Sequence, residues 1–209
     1  MGAIVAALAI GYICGSLPWG LWLGRAFRGV DVRTLGSGNL GATNVFRSLG
    51  RGLGLLTLVL DMLKGTVPVV IVPRLDVAAA FPGGTAACAI SVGAAAILGH
   101  MFTFLAGFRG GKGVATAAGV VLALFPAAFG IAVLVFVLTV AVSRYISLGS
   151  MLAAVAFAVI VAVGARGAEA PLRIGFSVVV ALLVIARHHG NIRRLARGEE
   201  RRFSWGRPR

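Results

Sequence analysis

The chain has 209 residues, 59% of them hydrophobic and only 12% charged, with a mean hydropathy of +0.98. A water-soluble domain of this size could not bury so much apolar surface, which excludes an ordinary soluble fold and leaves the bilayer as solvent. The formal net charge of +14, from 20 Lys and Arg against 6 acids, raises nucleic-acid binding. However, the basic residues fall between and after hydrophobic runs, as topology determinants do, which argues against a nucleic-acid partner.

A helix needs about 20 apolar residues to cross the hydrocarbon core. In chain order, the candidate spans are roughly 3–24, 53–73, 84–106, 113–143, 148–165 and 172–187. The first run lacks a basic leader and a clean small-residue cleavage site, so it reads as a span and not a signal peptide. The fourth is too long for one pass and carries Pro126 near its middle, so it is divided into 113–126 and 128–143. The expected fold is all-α, a polytopic membrane bundle of about seven transmembrane helices. It forms one integral membrane domain over 1–209, with a basic tail from about 188.

Charge orients the bundle. Arg25, Arg28, Arg33, Arg47 and Arg51 flank the first connection, Arg109 and Lys112 lie in the third, Arg144 follows the divided run, and eight arginines fall in 187–209. The alternate connections hold only Arg74, Arg166 and Arg173, partly offset by Asp76 and Glu169. Seven spans place every rich cluster on one side, predicting an N-terminus outside and a C-terminus in the cytoplasm. Cys14 and Cys88, both in apolar runs, read as small packing residues.

The polar chemistry is concentrated in a few stretches. In the connection from Asp31 to Arg47, Gly36, Gly38 and Gly41 permit tight turns and close approach to a ligand. Ser37, Asn39, Thr43 and Asn44 add hydroxyls and amides, and a short helix beginning at Gly41 would offer free N–H groups to an anion. Within the second span, Asp61 and Lys64 stand three apart and predict an internal ion pair with a scaffold role. His100 closes the third span as an interfacial hydrogen-bonding residue or a ligand. Gly107 to Gly113 surrounds Lys112 with glycines, a pattern suited to a nest of backbone donors beside one cation. It is not a Walker loop, because Gly113 follows Lys112. Ser147 and Ser150 read as caps of the following helix. His188 and Asn191, three apart, would share a helix face, and the arginines around them suit anionic lipid. A transporter would hold its polar site near the midplane, where only Asp61 and Lys64 lie. A lipid-binding scaffold would need the arginines but not the Gly-Asn-Ser pattern.

Three motifs, Ser37-Gly-Asn-Leu-Gly-Ala-Thr-Asn-Val-Phe-Arg47, Gly110-Gly-Lys-Gly-Val-Ala-Thr116 and His188-His-Gly-Asn-Ile-Arg-Arg-Leu-Ala-Arg-Gly-Glu-Glu200, occur in order along the chain. With Gly15-Ser-Leu-Pro18, Asp61-Met-Leu-Lys-Gly65 and Ser147-Leu-Gly-Ser150, the sequence resembles the bacterial acyl-phosphate:glycerol-3-phosphate acyltransferase family over essentially its whole length. Thr103 stands where that family usually has proline, and His189 where arginine usually follows the first histidine.

The resemblance implies transfer of an acyl group from a fatty acyl phosphate to the 1-hydroxyl of glycerol 3-phosphate, in a bacterial inner membrane, at a site facing the cytoplasm. It implies no metal or organic cofactor. It assigns catalysis to Ser37, Arg47, Lys112, His188 and Asn191. It assigns substrate or phosphate binding to Gly38, Asn39, Thr43, Asn44, Gly110, Gly111, Gly113, Ser147, Ser150 and Glu200. The hydroxyl proton goes either to His188 or to a substrate phosphate. None of the three histidines has Asp five positions later, so the His-x4-Asp signature of acyl-carrier and acyl-CoA-dependent enzymes is missing, which argues for the acyl phosphate donor.

Overall fold

Proline decides where the first long run bends. Pro18 cannot continue a helical hydrogen-bond ladder and keeps Leu17 extended (φ −60°, ψ 112°), so the run divides into α1 (Gly2–Ser16) and α2 (Trp19–Arg28). α2 closes on Gly29 at φ 64°, whose N–H donates to the Arg25 carbonyl at 3.1 Å. The structure, a computed structural model, describes residues 1–204, so Arg207 and Arg209 of the basic tail lie outside the described residues. The remaining helices are α3 (Ala42–Leu49), α4 (Arg51–Ile71), α5 (Gly84–Met101), α6 (Val114–Leu124), α7 (Pro126–Ser143), α8 (Ile146–Gly164), α9 (Ala170–Arg187) and α10 (His189–Ala196). No strand occurs among the described residues.

Among the described residues, six segments are long and apolar enough to cross a membrane: 2–28, 51–74, 84–106, 126–143, 146–164 and 170–187. The break expected in the fourth run is present, with Phe125 outside helical geometry (φ −139°, ψ 60°) and Pro126 opening α7. Its first half is α6, eleven residues long, a rise of about 16 Å or roughly half the hydrocarbon thickness.

Packing resolves two compact units within the span read as a single domain: Met1–Leu124, and the described residues from Phe125 onward. In the first unit, helices meet backbone to backbone. A Cβ on Gly11 or Gly15 would strike the Val92 carbonyl or the Ala96 backbone, and one on Gly99 the Tyr12 carbonyl. α1 and α5 therefore run side by side in the same direction. Gly93 packs on Val69 and Val120 while Asp61 lies beside His100, so α4 and α6 both run opposite to α5. Gly65 against the Thr116 backbone and Gly119 against Met62 bring α4 onto α6. Such small-residue contacts suit helices in lipid, where apolar transfer gives no drive to associate.

In the second unit, Phe125 stacks on Phe176 at 6.1 Å and meets Phe157 edge-on at 5.5 Å. Gly149 seats α8 against Val140 and Phe136 of α7. The tail folds back along this unit, where the Phe203 N–H donates to the Arg144 carbonyl at 2.6 Å. Leu134, Leu138 and Val142 leave α7 exposed by 56%, 56% and 88%, an apolar surface suited to acyl chains.

Gly15→Val tests the close approach of α1 to α5. Because the added side chain meets fixed backbone, the cost should reach or exceed the upper end of the about 1–3 kcal/mol typical of overpacking. It should read as a lowered melting temperature in detergent; an unchanged melting temperature would refute the backbone contact.

Candidate active site

The 31–47 loop is held from both ends. Asp31 accepts from the Arg33 side chain at 2.6 and 2.9 Å, from the Arg33 N–H at 2.9 Å and from Arg25 at 2.9 Å. The Arg33 hydrogen bonds keep its carboxyl well below the usual carboxylate range. Farther on, the buried Asn44 amide donates to the carbonyls of Val32, Leu35 and Asn39 at 3.1, 3.1 and 2.9 Å, and its oxygen accepts from the Ser37 N–H at 2.9 Å. Asn44 thus draws the loop around itself, and its polar atoms are committed there. Asn39 accepts from the Gly41 N–H at 2.8 Å, and Gly41 caps α3 as its position predicts. Around this frame Ser37 and Gly38 are exposed, while Thr43 and Arg47, one turn apart on α3, are half-buried.

The glycine loop is pinned to the end of α5. The Gly110 N–H donates to the Met101 carbonyl at 3.2 Å and the Gly111 N–H to the His100 carbonyl at 3.1 Å. Both N–H groups are thus taken by α5 carbonyls, so Gly110 and Gly111 do not contribute them to the nest of backbone donors that the pattern suggested. Lys112 is half-buried, Gly113 takes φ 81° against Met101, and α6 begins at Val114. The first-turn N–H groups of α6 have no partner within that helix.

Thr103 explains one departure from the family pattern. Its backbone sits at φ −66°, an angle proline itself would hold, so α5 ends as it would before proline. Its hydroxyl donates to the Ser16 carbonyl at 2.5 Å, a bond proline could not make.

In the second unit the glutamate of the third motif is a hub. Glu200 Oε1 accepts from Ser147 at 2.7 Å and Asn191 at 2.6 Å, and Oε2 from Arg194 at 2.8 Å. Burial would raise the Glu200 carboxyl, but the hydrogen bonds from Ser147, Asn191 and Arg194 outweigh it and hold it below the ordinary glutamate range. Ser147 and Ser150 do not cap α8: Ser147 reaches Glu200, and Ser150 donates back to the Ile146 carbonyl at 2.9 Å. Arg194 was not singled out in sequence. Its signal was Gly198, whose φ of 71° turns the chain so that Glu200 returns to α10.

His188 lies at the junction of α9 and α10 and is 2% exposed, whereas His189 is exposed. His188 Nδ1 lies 2.7 Å from the Val184 carbonyl. A carbonyl only accepts, so Nδ1 carries a proton.

Fold and polar segments together define a polytopic helical membrane protein with its polar motifs in loops and at helix ends. The chain belongs to the glycerol-3-phosphate acyltransferase family, whose model matches residues 5–198. It is 49% identical to the glycerol-3-phosphate acyltransferase of Geobacter sulfurreducens over 93% of this chain and 95% of that protein. It is 48% identical to that of Myxococcus xanthus over 95% and 98%. The fold matches crystal structures of PlsY (YgiH), an integral membrane glycerol 3-phosphate acyltransferase. The glycerol 3-phosphate form gives a TM-score of 0.85 at 36% identity, covering 96% of both chains. The lysophosphatidic acid form gives 0.82 at 36% identity, covering 96% of this chain and 95% of that one.

Because the folded Glu200 carboxyl titrates below its unfolded value, its stabilisation is complete above the unfolded pKa and is lost as pH falls through the folded one. Glu200→Gln should lower stability at neutral pH by about 1.5–3 kcal/mol and flatten the acid limb of melting temperature against pH. An unaltered acid limb would show that Glu200 does not titrate with folding.

Proposed function

We propose that the chain transfers the acyl group of a fatty acyl phosphate to the 1-hydroxyl of glycerol 3-phosphate, releasing 1-acylglycerol 3-phosphate and inorganic phosphate. One observation carries this reading beyond family membership. The 31–47 loop and the glycine loop, both with phosphate-suited chemistry, reach the same end of the first unit, where Leu40 and Gly111 border a common space.

The glycerol hydroxyl oxygen attacks the acyl carbonyl, the bond from carbonyl carbon to phosphate oxygen breaks, and the leaving phosphate takes the hydroxyl proton. The donor is already activated, so no acyl-enzyme is required. The protein's task is to hold two anions together. Arg47, Lys112 and the first turn of α6 offset their repulsion, with Ser37, Gly38, Asn39 and Thr43 at the loop surface completing the grip. Asn44 keeps that loop in shape, and Gly110, Gly111 and Gly113 aim Lys112. His188 and Asn191 of the second unit are the proposed orienting residues for glycerol 3-phosphate; Asn191 donates to Glu200, which also accepts from Ser147, and Ser150 lies one turn on from Ser147 in α8. Positioning of this kind supplies several kcal/mol, up to roughly 7–11 in ideal systems.

The reading includes seven crossings, with α6 counted as a short one, in a bacterial inner membrane, the N-terminus outside and the C-terminus and polar loops cytoplasmic. Two features support it. α1 and α5 run in one direction and α4 and α6 in the other. The ends of α1 and α5 both lead into the arginine- and lysine-rich connections.

Purified protein given palmitoyl phosphate and glycerol 3-phosphate should release phosphate only when both are present. Release independent of glycerol 3-phosphate, or equal turnover of an acyl-CoA donor, would overturn the scheme. Lys112→Ala and Arg47→Ala should each lower kcat/KM by on the order of 100-fold or more in protein that still folds; near-normal values would remove them from the clamp.

With the phosphate as base, His188→Ala should lose turnover yet keep the shape of the pH–rate profile. Loss of the limb would instead make His188 the base.

A further inference from the structure

Three side chains that this scheme leaves unused meet inside the first unit. Lys64 Nζ lies 2.7 Å from Asp61 Oδ1, and His100 Nδ1 lies 3.7 Å from the same oxygen. Asp61, Lys64 and His100 are only 1%, 6% and 5% exposed. Removing such charges from water costs several kcal/mol per ion, and apolar side chains of equal volume would often pack here with no loss of stability. Holding helices together is therefore a poor reason for the cluster, and its two outward contacts suggest a better one.

The first contact is from Lys64 Nζ, which donates to the Leu17 carbonyl at 2.7 Å, at the break that leads into α2. The second is from His100 to the glycine loop. Its Nε2 occupies the place a Cβ on Gly111 would take, so ring and loop backbone are in direct contact. Its own carbonyl receives the Gly111 N–H, and the next carbonyl receives that of Gly110. The imidazole is thereby held between the Asp61 carboxylate and the segment that aims Lys112. The three side chains border one space with Leu40, Thr103 and Gly111.

We propose that His100, oriented by the Asp61–Lys64 pair, is a positioning residue. Its ring and carbonyl set the backbone of Gly110–Gly113, and through it the grip on a substrate phosphate, without touching substrate. The proposal rests on the reading that this loop serves phosphate. It requires Gly111 to stay glycine because a ring fills its side-chain space, not because of a special backbone angle.

The test uses full-length protein in detergent, initial rates with palmitoyl phosphate and glycerol 3-phosphate, and hydrogen exchange over 107–113. His100→Asn keeps a donor toward Asp61 and withdraws the ring from Gly111. It should raise KM for at least one substrate by about tenfold while kcat stays within about threefold. Exchange at 110–113 should quicken while α1 and α4 stay protected. His100→Gln, which returns a polar group to the Nε2 position, should recover most of the KM. Gly111→Ala should raise KM in the native background and add much less on top of His100→Asn, because the ring it would strike is gone.

A loss of kcat with both KM values unchanged would overturn the proposal, as would independent effects of the two substitutions. If the native protein shows no turnover, the proposed function falls, and exchange at 110–113 in His100→Asn still decides this inference. Unaltered exchange there would sink it.

Discussion

Backbone carbonyls freed inside an apolar body must find partners within the protein, and the first unit is organised around that constraint. α1 stops at Ser16 and α5 at Met101, and both of these end residues are buried. Around them, Lys64 donates to the Leu17 carbonyl, Thr103 to that of Ser16, and Ser16 to that of Gly99 at 3.4 Å. Gly110 and Gly111 satisfy the carbonyls of Met101 and His100. Each break thus ties one helix to another and leaves a polar loop with a fixed root. A longer α1 or α5 would take up these carbonyls in its own ladder, and the loop anchorage would be lost.

This arrangement suits the proposed reaction between two anions and an acyl chain. The chain favours lipid, whereas the phosphates favour cations and N–H groups. A loop rooted in a helix break brings fixed donors close to the apolar body without exposing an unpaired backbone. In the 31–47 loop, Asn44 does with one side chain what a strand would do with a ladder, leaving Ser37 and Gly38 at the surface. Only the rigidity of such a frame makes hydroxyls and an arginine useful for orientation, since mobile groups would forfeit in entropy what they gain in contact.

Much of this was legible in the sequence. Hydropathy placed the spans, Pro126 the break before α7, Gly41 the start of α3, and the three-residue spacing the Asp61–Lys64 pair. The roles of individual polar side chains were less legible, because hydroxyls and amides serve equally as ligands, caps or loop pins. Ser147 looks like a cap, but its partner Glu200 is distant in sequence and is returned by the turn at Gly198. Likewise, the glycines at 110 and 111 read as a donor nest. Only tertiary structure tells that their N–H groups are taken by α5 carbonyls.

The two departures from the family pattern differ in kind. At Thr103 the backbone keeps the angle proline would impose, so the substitution exchanges a conformational restraint for a hydrogen bond to α1. The unfolded chain gains freedom that proline would have removed, and the folded chain gains a buried bond. These terms are similar in size and opposite in sign, so the position can drift without moving the end of α5. At His189 the change is exposed, and its ring rests on the Ala186 carbonyl at 3.1 Å. His188 is buried at the junction of α9 and α10. The histidine that can hold a fixed orientation is the one enclosed by the fold, and its neighbour lies at the surface, where a longer side chain would meet no buried wall.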